Sequence, residues 1–303
     1  MSTLTPTATA LLRAMRGRAQ SRLLGADDTR FYVTKFASDR LSQRLLVNEW
    51  IGSRLLEYLE IETPGTVAVR VTEEFLKEHG SLTASVDGAI KPVAAGVHLG
   101  SEFPEDPTHG VVYDFLPDSL LARVENLRDF WGALVLDKWC GNADSRQAIF
   151  VRVPGAVGSN AGAPQQRQFR ALMIDQDHFF DGAAWRIHEN PTRGPYFRPI
   201  VYDGLKSCAD LEPWLSKIRQ ISPWALERIF GSVPASWASG NQVRLDGLRN
   251  ELWTRRNDVN QLVTATAQAN PTAFRDWQGE ERPRLRVRSE HTTASPAASS
   301  VAC

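Results

Sequence analysis

A charge surplus of either sign is the first thing this sequence lacks: Lys and Arg together number 35, and so do Asp and Glu. That balance leaves no basic excess to attract nucleic acid, and no acidic excess of the kind that keeps a chain solvated and unfolded. Cysteine is scarce. Cys140, Cys208 and Cys303 are odd in number and unrelated in spacing, so they suggest neither a disulfide framework nor a zinc site, and a reducing cytosol is the expected compartment. No run approaches the ~18 uninterrupted apolar residues that a membrane span needs. Met1 to Ala10 is rich in Thr and Ala without an apolar core, so no signal peptide is expected. Internal repeats are missing as well. The expectation is a cytoplasmic protein with neither nucleic acid nor membrane as a partner.

What is present is an ordinary globular composition. The chain has 303 residues, 42% hydrophobic and 23% charged, enough for one large domain or two lobes sharing a cleft. Residues 1–15 read as a loose leader or short helix. Two β-type runs, 19–24 and 30–36, flank Gly25-Ala26-Asp27-Asp28, whose turn chemistry predicts a hairpin. Ser38 or Asp39 can cap a helix reaching about Tyr58, with Leu41, Leu45, Leu46, Trp50, Leu55, Leu56 and Leu59 at helical spacing. Strands are expected over 66–71 and 111–115, with short strands and loops over 80–110. From about 119 the pattern turns helical. Asn126 is a candidate N-cap, and Leu127 to Trp139 carries the wide apolar face of a buried helix. Strand runs at 148–153 and 169–174 flank a Gly- and Pro-rich loop, and helical patterns follow at 209–231 and 241–268. The tail after Trp277 is too poor in large apolar groups to fold. The divisions implied are a leader (1–15), a strand-rich lobe (16–117), a helical lobe (118–277) and a disordered tail (278–303).

Four places could carry chemistry. Lys35 shares a strand face with Phe31 and Val33, where an ammonium can meet phosphate oxygens or simply point to solvent. Glu49 lies four residues after Leu45 and seven before Leu56, on the apolar side or at the edge of its helix. A carboxylate buried there requires a cation, which Lys35 could supply. Asp144 sits in Gly141-Asn142-Ala143-Asp144-Ser145-Arg146-Gln147, between a buried helix and a strand. That segment is either an ordinary turn or a rigidly based catalytic loop. Asp175 ends an apolar strand and shares a face with Asp177, which suits a metal ligand or a strand-end cap.

The order of these parts is more informative than any of them. A lysine strand, a helix with an inward Glu, a buried helix, a loop with Asp, a hairpin and a strand-end Asp follow the chain order of a protein-kinase-like fold. Phosphoryl transfer uses such groups to neutralise phosphate charge, handle the nucleophile and hold Mg²⁺. The predicted fold is therefore α+β and bilobal, with a small antiparallel β lobe and a larger, mainly helical one. Val33-Thr34-Lys35-Phe36, Leu46-Val47-Asn48-Glu49-Trp50, Leu136 to Gln147 and Ile174-Asp175 resemble the HipA-like kinase family, most closely its shorter bacterial members, over roughly Gly17 to Trp277. The resemblance implies an ATP-dependent phosphotransferase acting on an unidentified acceptor hydroxyl, of a protein Ser/Thr or a small molecule. Lys35 would be the nucleotide lysine, Glu49 its helix-borne partner, Asp144 the catalytic aspartate and Asp175 the Mg²⁺ ligand, helped by Gln147 or Asp177.

Three departures mark this chain. Position 149 is Ile where the kinase pattern has Asn, leaving Gln147 as the nearest amide. The expected phosphate loop, Met15 to Ser21, has only Gly17, so Gln20, Ser21 and backbone N–H groups would have to substitute. No Gly follows Asp175. The extra N-terminal subdomain of the full-length toxin kinase has no counterpart here, which leaves an antitoxin-like partner unsupported. A pseudokinase and a nucleotidyl transferase on the same fold remain the rival expectations.

Overall fold

A computed structural model describes residues 5–15, 20–37, 39–80, 82–86, 89–153 and 168–279. Gly17, the loop expected over 154–166, Cys303 and the tail beyond 279 lie outside the described residues. Residues 8–14, expected in a leader or short helix, instead form β1 (Ala8–Ala14), which pairs antiparallel with β2 (Arg22–Ala26) through an irregular register. β1 is mostly exposed, so backbone pairing holds it and no apolar pattern announces it. β3 (Phe31–Lys35) returns along β2, its turn two residues later than the sequence suggested and closed by Ala26 N–H donating to Arg30 O at 3.0 Å.

α1 (Arg40–Tyr58) follows at once. Of the two candidate caps, Asp39 is the one used: its carboxylate accepts from Ser42 N, and Ser42 Oγ accepts from Asp39 N, both at 2.9 Å. β4 (Thr66–Val71), α2 (Glu73–Glu78), the hairpin β5 (Thr83–Val86) to β6 (Ala89–Pro92), and β7 (Gly96–Glu102) complete this lobe. The main sheet runs β1-β2-β3-β7-β4 with antiparallel neighbours throughout. β3 alternates as a half-buried strand should. Tyr32 and Thr34 are buried on one face, Tyr32 in a small cluster with Leu24, Val69 and Phe75, while Phe31, Val33 and Lys35 share the other face.

The second lobe is mainly helical. β8 (Val112–Tyr113) and α3 (Asp118–Leu121) lead to α4 (Asp129–Cys140), buried on nearly every side from Phe130 to Cys140. Asn126 does not cap α4; Arg128 holds that position. The Asn126 amide instead donates to Ala171 O and accepts from Ala171 N, both at 2.9 Å, and donates to Asp129 at 2.8 Å. It joins the helix start to a strand, a contact no local spacing reveals. β9 (Gln147–Val153) and β10 (Gln168–Ile174) form an antiparallel ladder from Gln147↔Ile174 to Val153↔Gln168, and β8 adds to β9. α5 (Trp214–Arg219), α6 (Pro223–Gly231), α7 (Ala235–Ala238), α8 (Gln242–Arg255) and α9 (Val259–Ala269) fill the rest. The antiparallel β lobe and helical lobe expected from the sequence are both present.

α1 belongs to the core of the helical lobe as much as to its own. Leu46, Val47, Ile51, Leu55, Leu56 and Leu59 are buried in one continuous cluster with Leu134, Trp139, Phe179 and Trp237. Trp50 meets Trp237 edge-on at 5.7 Å, and the Trp237 indole donates to Val97 O on β7 at 2.8 Å. Aromatic pairs of this kind contribute about 1 kcal/mol beyond their burial. Among the described residues no helix is long and apolar enough to cross a membrane.

His98 on β7 sets the short link from β3 to α1. Ala37 N–H donates to its Nδ1 at 3.1 Å, and its Nε2 contacts Ala94 O at 3.0 Å. Those partners require a neutral ring with the proton on Nε2. Burial pushes His98 from 6.5 down to about 4, against the pull of the Ala94 carbonyl. A depressed pKa contributes stability that is complete above about 6.5 and lost as pH falls through about 4; at ~1.4 kcal/mol per pH unit this is on the order of 3 kcal/mol. His98→Gln, which keeps an acceptor but cannot ionise, is expected to flatten thermal stability against pH over that window. Equal slopes for both proteins would contradict the assignment.

Candidate active site

Three elements converge on one ammonium group. Lys35 at the end of β3 places Nζ 3.1 Å from Glu49 Oε2 on α1, 2.6 Å from Asp175 Oδ1 just past β10, and 3.2 Å from Asp177 Oδ2. The expected pairing of Lys35 with Glu49 is thus present, with both aspartates drawn to the same nitrogen. Burial alone would push Lys35 down, but the three carboxylates outweigh it and hold the group well above the ordinary lysine value. Burial pushes Glu49 up to about 7; Lys35 opposes this, and Asp175 and Asp177 add to it. Asp177 is raised by burial and by Asp175, against Lys35, whereas Asp175 is lowered because Lys35 outweighs its burial.

The backbone around Asp175 is bent to make this possible. Asp175 has φ of 64°, a left-handed conformation that Asp tolerates better than most residues. The turn aims the next peptide at α1, where Gln176 N–H donates to Glu49 Oε2 at 2.8 Å. Gln147, exposed at the start of β9, donates its amide nitrogen to Asp175 Oδ2 at 2.7 Å. It orients the carboxylate through that bond.

Asn48, which the sequence reading passed over, fastens this segment to α1. Its Nδ2 lies 2.8–2.9 Å from the carbonyl oxygens of Asp177, Phe179 and Gly182, and its Oδ1 accepts from the Trp185 indole at 2.8 Å. Gly52, one helical turn on, lets the segment approach: a Cβ there would stand 2.5 Å from Gln176 Cβ and 3.0 Å from Phe179 Cε2. The available signal was an Asn and a Gly on the face shared with Ile51 and Leu55, where an apolar stripe should continue.

Asp144 lies in the loop after α4, exposed, with Oδ1 accepting from Ser145 N at 2.7 Å. The β9–β10 register puts it at the same end of the hairpin as Asp175, and Ala143 N–H donates to His178 O at 3.0 Å. A buried ion pair beneath fixes the loop. Arg146 bonds Asp137 of α4 through Nε at 3.0 Å and through Nη2, and donates Nη1 to Ile174 O at 3.2 Å. Asn142 donates to Asp137 Oδ1 at 3.0 Å. Asp137 in the middle of an apolar helix was the sequence signal for this pair. Of the expected phosphate-loop residues, Gln20 has φ of 46°, and Ser21 is buried one register step beyond Arg22↔Thr34, across from Lys35. Ile149 is paired with Leu172 inside the ladder and brings no amide to the site.

The packing generates three stability predictions. Gly52→Ala is expected to cost about 1–3 kcal/mol, as overpacking does, and to speed hydrogen exchange over 175–185. Gly247→Ala in α8, where a Cβ would meet nothing within 4 Å, is expected to stabilise by up to about 1 kcal/mol. Thermal melts of both check the contrast. Arg146→Met, which strands the Asp137 carboxylate, is expected to cost about 3–5 kcal/mol in denaturant unfolding.

No family model matches the chain, and no curated protein matches it. Solved structures do. The structure of the Golgi casein kinase is similar over 89% of this chain and 75% of that one, at 11% identity and a TM-score of 0.48. The same kinase with Mn/ADP bound is similar over 89% and 74%, at 11% identity and a TM-score of 0.46. A Helicobacter pylori proinflammatory kinase, CtkA, is similar over 85% of this chain and 96% of that one, at 13% identity and a TM-score of 0.48.

Proposed function

We propose that this chain is a HipA-like kinase, acting in the cytoplasm, that moves the γ-phosphoryl group of ATP to a Ser or Thr hydroxyl of a protein. The observation that carries the reading is the meeting of Lys35, Glu49 and Asp175 from a strand, a helix and a hairpin end, within 3.1 Å of one nitrogen. Phosphoryl transfer demands little covalent chemistry from a protein and a great deal of positioning and charge neutralisation.

The residues present suit a hard divalent cation. Glu49, Asp175 and Asp177 each bring a carboxylate oxygen within 4.8 Å of the others. Against one lysine they leave an uncompensated formal charge of about −2 in a largely buried site. Asp177 Oδ1 is buried with no hydrogen-bond partner; His178 Nε2, at 3.8 Å, is too far to serve. Asp175 and Asp177 would hold Mg²⁺, which supplies charge neutralisation on the phosphates when bound. Gln147 steadies the outer oxygen of Asp175. Lys35 offers its ammonium to phosphate oxygens, and Glu49, itself fixed by Gln176 N–H, keeps that ammonium aimed. Gln20, Ser21 and Gly17 are assigned to the phosphate loop that would act with Lys35. Asp144 orients the acceptor hydroxyl and takes its proton as the new O–P bond forms and the bond to the β–γ bridging oxygen breaks, releasing ADP.

A pseudokinase reading keeps one specific support: Ile149, paired with Leu172 in the ladder, stands at the position where a second amide ligand is expected. Product analysis separates the readings, since transfer releases ADP, nucleotidyl transfer releases pyrophosphate and a pseudokinase releases neither. Asp144→Asn is expected to leave nucleotide affinity unchanged and to lower turnover at least about a hundredfold. Asp175→Ala is expected to abolish the Mg²⁺ dependence of nucleotide binding. Equal turnover in wild type and Asp144→Asn would remove Asp144 from the chemistry. Nucleotide binding without turnover in either would favour the pseudokinase.

A further inference from the structure

Beside this site lies an open cleft of about 780 Å³, between the first turns of α1, the segment after Asp177, and α8. Three elements each contribute one guanidinium to it: Arg44 from α1, Arg186 from the segment and Arg244 from α8. Glu251 is the one carboxylate on its wall, so the cleft carries a formal surplus of about two positive charges in a chain whose totals cancel.

Arg44 is already positioned. Its Nη1 donates to Ala183 O at 3.0 Å, Nε and Nη2 lie 3.3 and 3.1 Å from Asn241 Oδ1, and the guanidinium stacks 5.0 Å over the Trp185 ring. Arg186 and Arg244 are exposed, and neither side chain makes a hydrogen bond or ion pair among the described residues. Like charges brought together without partners cost free energy unless an anion joins them.

We propose that this cleft binds a peptide through a phosphorylated side chain. A phosphomonoester carries about −1.5 to −2 charges at neutral pH, which matches the surplus, and its three oxygens suit guanidinium donors arriving from several sides. The walls narrow the ligand further. Leu41, 42% exposed, lines the cleft together with Ala183 and Ala184, so an apolar surface lies next to the cations. Bare phosphate would leave that surface wet, whereas peptide residues flanking the phosphate would cover it. A ligand seated here would tie α1, which carries Glu49, to the segment that begins with Asp175 and Asp177. The binding does not depend on the kinase reading, although that reading gives it a use, as recognition of a phosphorylated acceptor or product.

The test measures fluorescence anisotropy of a labelled short peptide with one phosphoserine between apolar residues, mixed with the full chain in the absence of ATP. The unphosphorylated twin, inorganic phosphate and a short single-stranded oligonucleotide serve as comparisons. The phosphopeptide is expected to bind at least about tenfold more tightly than its twin, and more weakly as salt rises. Arg186→Glu and Arg244→Glu, exposed positions on different elements, are each expected to weaken it at least about tenfold with circular dichroism and nucleotide affinity unchanged. Equal affinity for the twin, or no loss in the two variants, would overturn the proposal. Inorganic phosphate competing as strongly as the phosphopeptide, or tighter binding of the oligonucleotide lost in the same variants, would overturn the peptide assignment. Because no turnover is measured, failure here leaves the kinase reading standing, and absence of turnover leaves this result standing.

Discussion

The docking of α1 onto the segment after β10 is the contact on which the site depends. Asn48 supplies it with one side chain, meeting the carbonyls of Asp177, Phe179 and Gly182 and accepting the Trp185 indole. A chain segment with left-handed residues at Asp175, Phe180, Asp181 and Trp185 cannot satisfy its own carbonyls by a regular ladder, so it needs a buried donor from outside. Asn48 is that donor, and Gly52 removes the side chain that would otherwise hold the segment away. Glu49, between them in sequence, is thereby fixed beside Gln176 N–H and Lys35.

Two buried ionic systems divide the work. Asp137 and Arg146 are almost wholly inaccessible, and Asn142 and the Ile174 carbonyl add further hydrogen bonds to the pair. It is a closed, balanced structural pair, of the sort whose disruption is expensive because one charge is left behind. The Lys35 cluster is the opposite case. It is more open, it has three carboxylates for one ammonium, and Asp177 retains an unused oxygen. An arrangement with surplus charge and an unfilled acceptor is poor as a structural element and well suited to a cation and an anionic substrate.

The two systems are joined through the β9–β10 hairpin. Arg146 reaches the last carbonyl of β10 while Gln147, the next residue, reaches Asp175. The loop bearing Asp144 and the strand end bearing Asp175 are thus tied together at one end of one ladder, on the base formed by α4. Rigid support of this kind keeps the two aspartates in fixed relative positions.

The sequence by itself determined the strand of Lys35, the capped helix of Glu49, the buried helix of Trp139 and the hairpin before Asp175. Each depends on local chemistry: period-2 alternation, a helix-capping residue, an apolar face wider than one stripe, strand runs around a polar loop. Their order also carried the kinase-like reading. Only the tertiary structure decided the rest. β1 is held by backbone pairing along an exposed edge, which leaves no mark in side-chain pattern. Asn126 looked like a helix cap because the residue type fits, but its amide has better partners on β10, 45 positions away. Gln147 and Asp175 are 28 positions apart, and only the packed hairpin brings the amide to the carboxylate. The arginine-lined cleft joins positions 44, 186 and 244, which no spacing rule connects. Contacts set by chain neighbours are written in the sequence, while contacts between distant elements exist only after the core has brought them together.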